Sequence, residues 1–264
     1  MFFRRKNISL ICLLAYFIEV TWVIVQGTFQ NWGSRVDGTS LLTNFWYLQF
    51  TGISDTLISS TIALSFLTSY GSFKSIYIKN NNYFNNVNQR IGYVSFLKKA
   101  SLRTFFVAFF ISLLTKIYQL ILSFIILKKL PSNVVIPAEL SPFADNRFSS
   151  CVIFIILASL GWGIYAVFIF SLGLFIKKNS IYLVLGAIVG TLLILIPGMF
   201  SRILTYGMYI LLLPTLIAPG QMTFGILGGK HPNVYIGFLL SASIYLIFSL
   251  FLMYWWMVYK QKKG

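Results

Sequence analysis

Residues 203–218 read ILTYGMYILLLPTLIA, and whether they cross a bilayer decides the topology of the chain. The run is apolar but only 16 residues long. Pro214 interrupts it, Pro219-Gly220 ends it, and Pro197-Gly198 precedes it. A helix needs roughly 20 apolar residues to cross about 30 Å of hydrocarbon. A shorter, broken run is expected to be re-entrant or interfacial, because irregular backbone at membrane depth persists only where protein or water satisfies its polar groups.

Five other runs are long enough to span: Ile8–Gln26, Thr104–Leu127, Cys151–Ile176, Ile181–Phe200 and Val234–Val258. A weaker sixth, Trp46–Ser69, carries Asp55 and many hydroxyls. Hydroxyls can bond back to their own helix carbonyls, so they cost less in a membrane helix than charges do. The whole chain is 58% hydrophobic and 10% charged, with a mean hydropathy of +0.81. Soluble domains carry about 25% charged residues. Lipid is therefore expected to be the solvent, with one transmembrane domain over 1–264. The N-terminal Phe2-Phe3-Arg4-Arg5-Lys6 and the apolar run after it resemble a signal peptide. The run is too long for that and holds Glu19, so it reads as a retained first span.

Charge sets the orientation. With six spans and both termini in the cytoplasm, inner segments 1–7, 70–103, 177–180 and 259–264 carry 3, 6, 2 and 3 Lys or Arg and no acid. The outer segments carry Arg35, Lys128, Lys129, Arg147, Arg202 and Lys230, among which lie Asp37, Glu139 and Asp145. That is the positive-inside pattern. A seventh span at 203–218 would put Lys260, Lys262 and Lys263 outside. The expected fold is therefore all-α: six transmembrane helices, with a short outer re-entrant hairpin at Pro197, Pro214 and Pro219 between spans five and six.

In the long inner loop, Tyr83, Phe84, Val87 and Ile91 share one side of a helix, opposite Asn85, Asn86, Asn88, Gln89 and Arg90. Asn81 or Asn82 can cap its start and Gly92 its end. A short basic amphipathic helix under the membrane fits either anionic lipid or a cytoplasmic partner.

Enzyme chemistry finds little to work with. There is no G-x-x-x-x-G-K-[ST], no H-E-x-x-H, no G-x-S-x-G and no paired acidic cluster. Five acids and the single His231 cannot build a metal centre or a hydrolytic site, so neither a catalytic residue nor a cofactor bound by this chain is expected. Cys12 and Cys151 lie in apolar runs and read as small hydrophobes.

Three ionisable residues fall within spans: Glu19, Asp55 and Lys116. Such charges are costly and face a bundle interior or a cavity. At 1.5 Å per residue, Asp55 lies about 14 Å and Lys116 about 16 Å from the outer ends of adjacent antiparallel spans. That depth match predicts an ion pair locking spans two and three. Gly186-x-x-x-Gly190 in span five permits close helix approach, within the subunit or at a dimer face. Trp255, Trp256 and Tyr259, followed by lysines, read as interfacial anchors. Arg202 and Lys230 bracket the outer hairpin at headgroup level.

The full order is a basic N-terminus, a span, an outer loop, a span, a basic inner loop and a span. Two spans joined by the tight Lys177-Lys178-Asn179-Ser180 turn follow, then a Pro/Gly-broken outer hairpin and a last span with a basic tail. This resembles the ABC-2 class of ABC transporter permeases. Asn88-Gln89-Arg90-Ile91-Gly92-Tyr93, with Phe96-Leu97-Lys98 after it, is similar to the loop after span two in small bacterial members. Many members have a longer amphipathic helix before span one than residues 1–7 provide.

The resemblance implies a permease subunit of the bacterial cell membrane and a pore of two such chains, identical or related. A separate ATPase subunit would carry the ATP-Mg and dock on Asn85, Asn88, Gln89, Arg90 and Tyr93. Nucleic acid is no partner. Antimicrobial peptides, drugs or lipid-like molecules would be the exported class. The competing expectation is a stand-alone secondary transporter or bacteriocin-immunity protein. A secondary transporter favours an internal repeat and in-membrane acids for ion coupling; no repeat is visible, and only Glu19 and Asp55 could serve.

Overall fold

The computed structural model describes residues 2–32, 54–81, 84, 89–127, 143, 147–199, 211–220 and 233–263. Among them the chain is helical and no strand forms. The elements are α1 (Phe2–Trp32), α2 (Ser54–Tyr70), α3 (Phe73–Asn80), α4 (Tyr93–Leu127), α5 (Arg147–Gly173), α6 (Asn179–Met199), α7 (Leu213–Ile217) and α8 (Val234–Lys263). Within α4, α5 and α8, the stretches Tyr93–Ile126, Ser149–Gly173 and Val234–Gln261 are long and apolar enough to cross a membrane. Leu10–Gln26 of α1 and Asn179–Ile194 of α6 are shorter apolar helices.

The core forms around α5. Its sequence, Arg147–Gly173, is apolar on every face, and a helix of that kind is stable only when enclosed. Here α2, α4, α6, α7 and α8 all pack against it. Phe154, Ala158, Tyr165, Ile169 and Phe170 are fully buried as a result. The outer helices bury one side and expose the other. Leu10, Ile11, Leu14, Ile18 and Trp22 of α1 are exposed, as are Phe106, Phe110, Leu114 and Ile121 of α4. Apolar stripes that long would drive association in water, but they match hydrocarbon.

Hydroxyls inside the helices bond back to the preceding turn. Thr68 Oγ donates to the Leu64 carbonyl at 2.6 Å, Ser69 Oγ to Ser65 at 2.7 Å, and Thr104 Oγ to Ala100 at 2.7 Å. This leaves few polar groups unpaired in the packed zone.

Small residues set the helix spacings. A Cβ on Gly186 would press into Thr68 and stand 2.5 Å from the Leu64 carbonyl oxygen, and one on Gly190 would stand 2.8 Å from both Leu64 and the Tyr165 hydroxyl. Both glycines thus face α2 and α5 of their own chain. A Cβ on Gly161 would collide with the Leu216 carbonyl. The short α7 is seated there, with Leu213 to Ile217 all buried. Tyr245 of α8 holds the approach to α7 by donating to the Leu211 carbonyl at 2.9 Å.

Two boundaries differ from the sequence expectation. The helix that covers the third expected span, α4, begins at Tyr93, eleven residues before Thr104. Lys98, Lys99 and Arg103 ride on this extension and are exposed, so they interrupt hydropathy without interrupting the helix. The inner loop also holds α3, which was not foreseen. Its Ile76 is fully buried beneath α5 and α6, near Gly173.

Candidate functional site at the basic end

One end of the bundle gathers the chain's cations. The end of α2, all of α3, the start of α4, the turn from α5 to α6 and the end of α8 meet there. Lys74, Lys79, Lys98, Lys99, Arg103, Lys177, Lys178 and Lys260 lie on these segments, Arg90 lies on the turn just before α4, and no Asp or Glu does.

The centre of this end is a polar clamp. Lys79, at the end of α3, donates through Nζ to the carbonyls of Gly173 (3.1 Å), Leu174 (3.0 Å) and Ile176 (2.6 Å). These include orphan carbonyls at the C-terminus of α5, where the helix dipole favours a cation. Asn80 Nδ2 donates to Asn179 Oδ1 at 2.6 Å, tying α3 to the first residue of α6. The hydroxyls of Ser72 and Tyr182 share a buried hydrogen bond. Burial, and after it the positive Lys260, push the Lys79 ammonium down to about 8.

Beside the clamp lies an aromatic seat. Phe84 meets Phe96 at 5.3 Å, Trp256 at 5.7 Å and Tyr93 at 5.8 Å between ring centroids, and Tyr93 meets Trp256 at 5.9 Å. All four pairs are tilted or edge-on, the arrangement aromatic quadrupoles favour. Gly92 joins the seat to the turn before it with a φ of +71°, a conformation natural to glycine. Gln89, Arg90 and Ile91 form an exposed helical turn on the solvent side of that glycine.

Several expectations change here. Tyr93 belongs to α4 and is half-buried in the seat. Ile91 is exposed. Trp256 is 2% exposed and is a packing residue, whereas Trp255 is exposed and fits the interfacial role. Asn85 and Asn88 lie outside the described residues. Lys79, the best-connected cation at this end, was missed. The signal was available: Phe73, Ile76 and Lys79–Asn80 follow Gly71 with helical spacing.

Of the three ionisable residues expected within spans, Glu19 and Lys116 have described side chains. Lys116 is buried between α4 and α5, its Nζ 5.0 Å from the centroid of Phe154. The side chain of Asp55 lies outside the described residues. Glu19 is half-buried on a flank of α1. Of the prolines expected in an outer hairpin, Pro214 and Pro219 are buried, and Pro197 falls within α6, its side chain outside the described set.

No family model, curated protein or solved structure matches this chain. A functional reading therefore stands on the residues and their geometry.

Proposed function

We propose that the chain is the membrane subunit of an ATP-driven exporter of the ABC-2 type, with six spans, cytoplasmic termini and a pore formed by two chains. One observation carries the reading most: an exposed, cationic turn, Gln89-Arg90-Ile91, stands on an aromatic seat shared by α4 and α8. A partner pushing on that turn would act on two long helices at once. The Lys79 clamp extends the same end to α3, α5 and α6. Such an end suits the transfer of force from a soluble ATPase, and the chain has no nucleotide-binding loop of its own. The exported class would be antimicrobial peptides, drugs or lipid-like molecules.

The placement of α7 supports a re-entrant outer hairpin. Gly161 lies close to the middle of the 27-residue α5, about 21 Å from its start and about 18 Å from its end at 1.5 Å per residue. A short buried helix against it sits at mid-membrane depth, and protein surrounds its backbone.

The test is a gentle pull-down of the tagged chain from its own host, followed by an ATPase assay. The proposal expects a nucleotide-hydrolysing partner of roughly 25–35 kDa, the size of one domain, and its loss in Arg90→Glu. A chain that comes down alone, with no nucleotide dependence, would overturn it in favour of a stand-alone transporter or immunity protein.

A further inference from the structure

Glu19 is a carboxylate in the apolar part of α1. Among the described residues no hydrogen bond or ion pair reaches it. A carboxylate left in hydrocarbon is costly and is usually retained for a functional reason. Lys116 does not answer it, because that ammonium points into the α4–α5 interface at Phe154.

The surroundings of Glu19 are aromatic. Tyr16 precedes it by three residues and Trp22 follows it by three, so both rings neighbour it along one side of the helix. Trp22 is 67% exposed. Tyr16 is buried and fixed: its ring stacks on Phe66 of α2 at 4.6 Å and 15°, and its hydroxyl lies 3.3 Å from Thr115 Oγ. Phe66 continues the surface to Tyr70 at 4.9 Å. The flank between α1 and α2 thus offers one negative charge and an open indole, beside a Phe66 ring that Tyr16 holds in place from within.

We infer that the Glu19 flank, with Trp22 and the partly exposed Phe66, is a binding site for a hydrophobic organic cation reached from the lipid. The carboxylate supplies the opposite charge where lipid screens little, and aromatic faces attract the cation's positive surface. A neutral ligand of the same size would gain only the apolar contact. An anion would be repelled. Calling this ligand cargo rests on the exporter reading; the binding itself does not.

The experiment uses the full chain in phosphatidylcholine nanodiscs. Binding of tetraphenylphosphonium is measured by quenching of tryptophan fluorescence and by calorimetry, with empty discs subtracted. Tetraphenylborate, an anion of the same shape, is the comparison. The expected result is saturable cation binding, little anion binding, and a loss of about tenfold in affinity in Glu19→Gln, a neutral isostere. Trp22→Leu, read by calorimetry, should weaken the cation by about threefold, the scale of one cation–π contact. Equal binding of the two probes, or an unchanged affinity in a folded Glu19→Gln protein, would overturn the inference. The readout needs no ATPase. A cation site in a chain that recruits no ATPase leaves this inference standing and removes the exporter reading; an ATPase partner with an unchanged Glu19→Gln affinity does the reverse.

Discussion

Lys79 caps a helix to which it does not belong: its Nζ lies 3.1 Å from the carbonyl oxygen of Gly173, the last residue of α5. The same carbonyl accepts the Ile176 amide, so the ammonium and the turn share one anchor. Lys79→Met removes the donor and keeps the length of the stem. Amide exchange at Leu174, Phe175 and Ile176 should then rise about fivefold, the size of a helix-end charge effect near 1 kcal/mol. Unchanged exchange at those amides would mean that the turn holds itself.

The same lysine should make stability depend on pH. Its folded value of about 8 lies below the ordinary 10.5, so between those values the unfolded chain holds more protons. Stability then rises as pH climbs through that window, and below about 8 the cost of the buried charge is fully present. Lys79 keeps contact with solvent, which makes the effect small. Thermal melts in one detergent at pH 7 and pH 9.5 should show a gain for the native chain that shrinks in Lys79→Met. Equal gains in both would assign the slope to other groups.

Two glycines should fail for different reasons. Gly161→Ala forces a methyl against the Leu216 backbone, which cannot swing aside as a side chain can. The cost should be about 2–3 kcal/mol, with α7 dislodged. Gly92→Ala meets no atom within 4 Å but inherits a φ of +71°. Its cost should be about 1 kcal/mol, from backbone strain alone. Melts of the two variants rank them, and limited proteolysis near 211–220 should detect only the first.

The long helices were legible in sequence because each contains a continuous apolar run, and hydropathy reads such runs directly. Of the broken run at 203–218, the described part holds the five-residue α7, which begins beside the Pro214 that interrupts the run. The clamp was not. Lys79 looks like any other cation in a basic loop until the end of α5, 94 residues later, is folded against it. Trp256 was misread for a related reason: beside Trp255 and lysines it has the composition of an interfacial anchor, and only Phe84 and Tyr93 packed over it make it core. Gly186 and Gly190 gave their spacing but not their partner, since a small-residue stripe fits any close helix and α2 is the one that occupies it.

The basic end separates support from surface, and paired variants should show it. Trp256→Ala deletes the ring that Phe84 and Tyr93 both touch and leaves a cavity between α4 and α8. Its cost should be about 3–5 kcal/mol, the usual range for a buried tryptophan. Arg90→Ala removes an exposed side chain three residues earlier than Tyr93 and should leave the melting temperature unchanged. If the exposed turn is where a partner docks, Arg90→Ala should nonetheless lose that partner in the pull-down, while Trp256→Ala loses it only in proportion to the protein that unfolds. Titrating each variant against co-purified ATPase, normalised to folded chain by size-exclusion, distinguishes the two. Retention of the partner by Arg90→Ala at native levels would move the docking surface away from this turn, most directly to the exposed Lys98 and Lys99 on the first turns of α4.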